Sequence, residues 1–205
     1  MSNGTMIIKR DGSKEHLNID KIHKVVMHAC EGLAGVSASQ IEMNANLQFY
    51  DGMSTQEIQE VLIRSANDLI NLDAPNYQYA AARLLAYTLN KQVFGEYDAI
   101  SFYDMIEKNI ERKVYDSSIL QMYTKEEIDS LDSYIKHKRD ENFTYAGLRQ
   151  VVDKYLVQDR SSDEIFETPQ FMYMMIAATL FANYPAEDRM YYVRRYYDAT
   201  SLFKI

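Results

Sequence analysis

The sequence predicts a mainly α-helical protein that opens on one β-hairpin. Residues 7–22, IIKRDGSKEHLNIDKI, set Asp11-Gly12 between two short stretches, MIIKR and KEHLNI, that read as strands. Asp-Gly supplies the positive φ angles that tight hairpin turns require. Beyond this point apolar residues recur at helical spacing, segment after segment, each introduced by a capping residue or a proline. No internal repeat and no low-complexity linker interrupts the pattern.

Taken in order, Asp20 is the expected cap of a first helix, in which Ile22, Val25, Val26, Ala29 and Leu33 recur until EGLAG stops it. A second helix fits SQIEMNANLQF. The turn DGMST then offers Ser54 or Thr55 as cap for QEIQEVLIRSANDLIN, with Ile58, Leu62, Ser65 and Leu69 on one side. Pro75 announces a fourth helix, YQYAAARLLAYTLNKQVFG, near whose first turn a missing N–H costs little, and Gly95 ends it. Further on, Thr124 and Glu127 form a capping box ahead of EEIDSL, KYLVQDRSSDEIFET reads as a second hairpin with DRSSD as its loop, and two prolines lead in TPQFMYMMIAATLFANY and PAEDRMYYVRRYYDATSLF. The organisation expected is a hairpin over a four-helix bundle in residues 1–95, and a helical segment with one short hairpin in residues 96–205.

Composition limits the function. With 205 residues and 47% hydrophobic content the chain can bury a real core. Its 30 acidic residues outweigh 22 basic ones for a formal charge of −8, the wrong sign for a protein that neutralises duplex phosphates. Nucleic acid is therefore not an expected partner. One cysteine, Cys30, makes no intrachain disulfide, zinc knuckle or dithiol pair, which suits a reducing cytoplasm. No stretch approaches the roughly 20 apolar residues that span a bilayer, and the amino terminus lacks a signal-peptide core. His16, His23, His28 and His137 have no helical partner with a third carboxylate ligand, so no metal site is expected. Tyrosine and arginine in MYYVRRYYD and methionine in FMYMMIAATLF are read as packing residues rather than a base-stacking platform.

Lys9, Arg10 and Lys21 stand out. A hairpin folded over the start of the following helix would bring all three onto one anion, where free N–H groups and the helix dipole already favour negative charge. A polyphosphate is the natural guest, with Lys91 as a further cation and Thr55 as a hydroxyl at another helix start. On spacing alone the plainer account is a solvated surface turn, with Asp11, Glu15 and Asp20 alongside and no Walker-type glycine loop.

Three blocks alter that balance. KRDGSKEHLNIDKIHKVVMHACEGL, LQFYDGMST and DAPNYQYAAARLLAYTLNKQVFG together resemble the ATP-cone that begins the large, α subunit of class Ia ribonucleotide reductase. YDSSILQMYTKEEIDSLDSYIKHKRDENFTYAGLRQVVDKYLVQDR, EIFETPQFMYMMIAATLFANYP and VRRYYDATSLFKI resemble the helical segment that joins the cone to the catalytic α/β barrel. The resemblance implies a regulatory portion of a reductase that binds ATP or dATP as an allosteric effector, with Mg2+, and no redox cofactor. It implies nucleotide contacts at Lys9, Arg10, Glu15, His16, Leu17, Asn18, Ile19, Asp20, Lys21, Ile22, Thr55, Gln59, Tyr87 and Lys91. The cations would neutralise phosphates, Glu15 and Asn18 would read adenine, and Leu17 and Ile22 would wall the base. Gln59 and Tyr87 stand where the family often carries histidine and phenylalanine.

The same resemblance implies two partners, a barrel-bearing remainder of the α subunit and a radical-generating β subunit, in the cytoplasm. The radical and reducing cysteines belong to that barrel, so this chain alone is expected to be inactive, and either a truncation or one product of a divided gene. The alternative is a stand-alone nucleotide-sensing or helical interaction module without a reductase role.

Overall fold

The structure, a computed structural model, describes residues 5–95 and 98–205. The expected domain boundary at 95/96 abuts residues 96 and 97, which lie outside the described residues. The protein is mainly helical, and none of the strands among the described residues exceeds three residues. It divides into two compact units, one of residues up to Thr88 with Glu141–Arg149, the other of Leu89–Asp140 with Gln150–Ile205.

The first unit starts with β1 (Met6–Ile8) and β2 (Lys14–His16), paired antiparallel so that Ile7 faces Glu15 and Ile8 faces Lys14. Asp11-Gly12 is not the two-residue apex the sequence suggests. Gly12 N–H bonds to the Lys9 carbonyl at 2.9 Å, so Arg10 and Asp11 form the centre of the turn and Gly12, at φ +80°, takes the left-handed position after it. A second difference is a third strand, β3 (Met53–Ser54), parallel to β1 in the order β2-β1-β3. Two residues give no periodicity to detect. The loop before it is fastened to β1 at both backbone groups of Met6, whose N–H donates to Asp51 Oδ1 at 2.8 Å and whose carbonyl accepts from Gly52 N–H at 2.8 Å.

Four helices follow the expected order: α1 (Ile19–Cys30), α2 (Ala38–Asn46), α3 (Thr55–Asn67) and α4 (Tyr77–Phe94), with α2 packed against both α1 and α3. Asn18, not Asp20, caps α1, accepting the Lys21 N–H at 3.0 Å. A cap needs extended backbone, which Asn18 has at φ −96° and ψ 98°; Asp20 is already inside the first turn, where its charge suits the positive helix end. The start of α4 clamps the α1–α2 connection. Tyr77 hydroxyl accepts from Ser37 N–H at 3.0 Å and donates to Gln40 Oε1 at 2.6 Å, and Asn76 donates to the Ala34 carbonyl at 2.9 Å. Nearly two turns further, Arg83 Nη1 donates to the Glu31 carbonyl at 2.6 Å and to that of Ala29 at 3.3 Å, covering carbonyls at the end of α1 that have no helical partner.

Beyond α4 come α5 (Phe102–Glu111), α6 (Ile119–Met122), α7 (Lys125–Asp132), a 3-10 turn at His137–Asn142, α8 (Tyr145–Lys154), the hairpin β4 (Gln158–Asp159) and β5 (Glu164–Ile165), α9 (Pro169–Phe181) and α10 (Ala186–Ser201). The Thr124–Glu127 capping box forms as expected, and Glu127 also receives the Arg189 guanidinium, with Nε at 3.1 Å. In the second unit Phe171 is fully buried, with the rings of Phe94, Phe102 and His137 at 5.6, 5.4 and 5.0 Å. The methionine segment is largely core, with Met172 and Met174 buried, although Ile176 and Leu180 on the same helix are exposed. The tyrosine stripe packs too: Tyr197 is buried, and Tyr192 stacks on Phe181 at 5.7 Å.

Three buried polar side chains of this unit are linked in series. Tyr197 hydroxyl accepts from Lys136 N–H at 2.8 Å and donates to Gln170 Oε1 at 2.6 Å, while Gln170 Nε2 donates to Asp140 at 2.8 Å. Replacing Tyr197 with phenylalanine leaves buried Gln170 Oε1 without its donor and Lys136 N–H without its acceptor, and an unmet buried group costs about 1–3 kcal/mol. Tyr197→Phe should lower unfolding stability by that order in urea denaturation.

Glu167 supplies a pH signature. Its buried carboxylate accepts from Val157 N–H at 2.9 Å and from the Tyr115 hydroxyl, yet burial still pushes its carboxyl above the ordinary 4.5. An acid whose pKa is higher folded than unfolded binds more protons in the native state between the two values. Stability therefore falls as pH rises through that window. In thermal melts from about pH 4 to pH 7 the stability of the wild type relative to Glu167→Gln, whose side chain does not titrate, should fall as pH rises.

Candidate functional site

Side chains alternate across a strand, and directly opposed residues share a face. Ile7, Glu15 and Met53 are opposed in the three-stranded sheet, and Ile7 and Met53 are buried against the helices. Lys9 follows two residues on from Ile7, so Lys9 and Glu15 continue that side of the hairpin, while Thr55, directly after β3, already belongs to α3. His16 lies on the other face of β2, and Arg10 is exposed in the turn.

Lys9 and Glu15 meet as a diagonal pair, Nζ to Oε2 at 2.7 Å. The hydrogen bond to Lys9 holds the Glu15 carboxyl below its ordinary range, and the charges of Lys9 and then Lys21 lower it further. One carboxylate thus lies in the field of two ammonium groups. The Glu15 hydrogen bond in turn raises the Lys9 ammonium pKa.

Immediately after β2, Leu17 N–H donates to the Thr5 carbonyl at 2.8 Å, and Asn18 opens α1. Lys21 and Asp20 are exposed in the first turn, while Leu17 and Ile22 are half-buried; Ile19 is 52% exposed. The start of α1 therefore combines helix-end N–H groups, a cation and two partly covered apolar side chains.

The start of α3 is built differently. Ser54 Oγ accepts from Glu57 N–H at 3.1 Å, Glu57 Oε2 accepts from Ser54 N–H at 2.7 Å, and Tyr50 hydroxyl donates to Glu57 Oε1 at 2.8 Å. These bonds, the backbone one first, keep the Glu57 carboxyl below its usual range. Thr55 is the first residue of this helix and Gln59 lies one turn on, both half-buried. Ser54, one of the two caps expected here, takes the role, and Glu57 completes a capping box that S-x-x-E ahead of an apolar run makes legible. Tyr87 is half-buried on α4, and Lys91 stands in the last turn of that helix, in the portion belonging to the second unit.

Cys30 is half-buried at the end of α1; burial pushes its thiol up to about 11, which leaves it protonated and a poor nucleophile at neutral pH. Among the described residues no group of three His, Cys, Asp or Glu is placed to hold a metal, and no helix is long and apolar enough to cross a membrane.

The hairpin, α1 and α3 fall within residues 5–92, which match the ATP cone domain, and residues 141–205 match the all-alpha domain of ribonucleotide reductase. This chain is homologous to the N-terminal region of ribonucleotide reductase large subunits. It is 48% identical over 205 residues to ribonucleoside-diphosphate reductase 1 subunit alpha of Escherichia coli and 47% identical over 205 residues to the subunit alpha of Haemophilus influenzae. To the subunit alpha of Enterobacteria phage T4 it is 41% identical over 201 residues. The whole of this chain aligns with the two bacterial proteins and 97% of it with the phage protein, but it spans only 27%, 27% and 26% of their lengths. The cone is thus the part that carries the Lys9, Glu15 and Lys21 cluster.

The capping box at α3 is separable from that cluster. Ser54→Ala removes the side-chain acceptor for Glu57 N–H, and loss of such a cap costs about 0.5–2 kcal/mol. Urea denaturation of the variant should show a destabilisation in that range with an unchanged dependence on denaturant.

Proposed function

We propose that the cone is a regulatory nucleotide-binding module that takes ATP or dATP, and that the chain serves as the N-terminal portion of a reductase converting ribonucleoside diphosphates to deoxyribonucleotides. The observation that carries this reading is the placement of Lys9 and Lys21 around the start of α1 within a segment that matches the ATP cone. Lys9 and Lys21 would neutralise the phosphates beside the free N–H groups of α1, and Arg10 would add charge from the turn. Glu15 and Asn18 carry the groups to read the adenine edge, Leu17 and Ile22 offer apolar surface to the ring, and Thr55, Gln59 and Tyr87 would add contacts from α3 and α4. The reading rests on the first unit and gives Lys91 no part.

A triphosphate would arrive with Mg2+, which binds phosphate oxygens and keeps several waters, so the chain need not supply a metal cage of its own. In this reading the partners are a barrel-bearing remainder of the α subunit and a radical-generating β subunit, in the cytoplasm. One cysteine cannot provide both a radical thiol and a reducing pair, so the chain performs no reduction alone.

Calorimetric titration of the 205-residue chain with ATP and dATP tests the reading. Expected is micromolar affinity, about −8 kcal/mol. A Lys9→Glu, Lys21→Glu double variant should lose it. Absence of heat at millimolar nucleotide, or unchanged affinity in the double variant, refutes the proposal.

A further inference from the structure

The charges nearest the start of α1 are not a simple basic patch. Lys9 is engaged at 2.7 Å by Glu15, its diagonal neighbour on the same face of the hairpin, with side-chain exposures of 42% and 33%. Both groups are held by strand register rather than by chance contact: β1 and β2 fix Ile7 opposite Glu15, and Lys9 N–H donates to the Ser13 carbonyl at 2.8 Å just beyond the ladder. Asp11, whose Oδ1 is tied to Ser13 N–H at 2.9 Å and Oγ at 2.6 Å, adds a second acid in the turn. Lys21 acts on the same carboxylate from the first turn of α1.

We propose that Glu15 is a built-in competitor for the phosphate-binding ammonium of Lys9, so that an incoming polyphosphate must displace or share that carboxylate before it can use the cation. The inference rests on the nucleotide reading above and adds an affinity threshold to the same site. A bare polyphosphate gains only electrostatics and meets a fixed anion already occupying its partner. A nucleotide brings a base as well, and contacts made by the ring offset the cost of parting Lys9 from Glu15. The competing anion weakens every phosphate ligand alike, so it leaves the ratio between ligands unchanged and raises the threshold that each must meet, which base contacts help a nucleotide to pass. Exposed ion pairs are weak, so the threshold is severalfold rather than absolute.

The test uses inorganic tripolyphosphate, which has no base, alongside ATP. Both are titrated calorimetrically at low ionic strength into the wild type, Glu15→Gln, Lys9→Ala and the double variant. Glu15→Gln keeps the size and hydrogen-bonding reach of the side chain, and thermal melts verify that each variant is folded. Expected is tripolyphosphate binding about two- to fivefold tighter in Glu15→Gln than in the wild type, with at most half of that gain, on a logarithmic scale, surviving in the Lys9→Ala background. No gain, or more than half of it persisting without Lys9, overturns the inference even where wild-type ATP binding is intact. Failure of the wild type to bind ATP at all removes the nucleotide reading and the competitor with it.

Discussion

The pairing of β1 with β3 is the constraint on which the first unit depends. A hairpin of two three-residue strands is marginal by itself. Here β1 is the middle strand, held on one side by β2 and on the other by two residues that lead directly into α3. Met6 gives up both backbone groups to the Asp51-Gly52 loop, and Ile7 and Met53 close the sheet against the helices. That anchoring converts a loose amino-terminal ribbon into a platform. It fixes which side chains face inward, and so puts Lys9 and Glu15 on one side while turning His16 to the other.

The electrostatics follow from that platform. A chain of net charge −8 gains little long-range attraction for anions, and what it offers is local. The two helix starts next to the sheet differ in consequence. At α3, Ser54 and Glu57 satisfy each other's backbone groups, with Tyr50 steadying the carboxylate, so that end already holds an anion of its own. At α1 only Asn18 is committed as cap, and the neighbouring carboxylate belongs to a separate strand and is partnered by lysine. Of the two ends, α1 is the one with lysines beside it, Lys9 being already paired with Glu15.

Local chemistry was the legible part of the sequence. The two hairpins, the capping box at Thr124 and Glu127, the proline-led α9 and α10 and the stop at Gly95 are each specified within a few residues, and each is present. What escaped depends on distance along the chain. β3 has two residues and exists because β1 is beside it; Arg83 covers the end of α1 from a helix more than fifty positions later. Asn18 and Asp20 are equally good caps by type, and only the backbone angle set by the preceding strand decides between them. For the site, the motif blocks pointed to the right stretch of chain, but charge type alone did not reveal that Lys9 and Glu15 are partners. That pairing is a property of hairpin register.

The turn between β1 and β2 has a bearing on how this segment can vary. Its five residues are cross-tied, with Gly12 in a conformation that a side chain would strain and Asp11 bonded to Ser13. Because strand faces alternate, adding or deleting one residue in the loop would shift the phase of everything after it. Glu15 would rotate to the solvent face, His16 would take its place, and the cap of α1 would arrive one step out of position. Length changes here are therefore quantised. Drift in amino-acid type at Arg10 leaves that phase untouched, whereas drift in length survives only in steps of two or with a bulge that absorbs the odd residue.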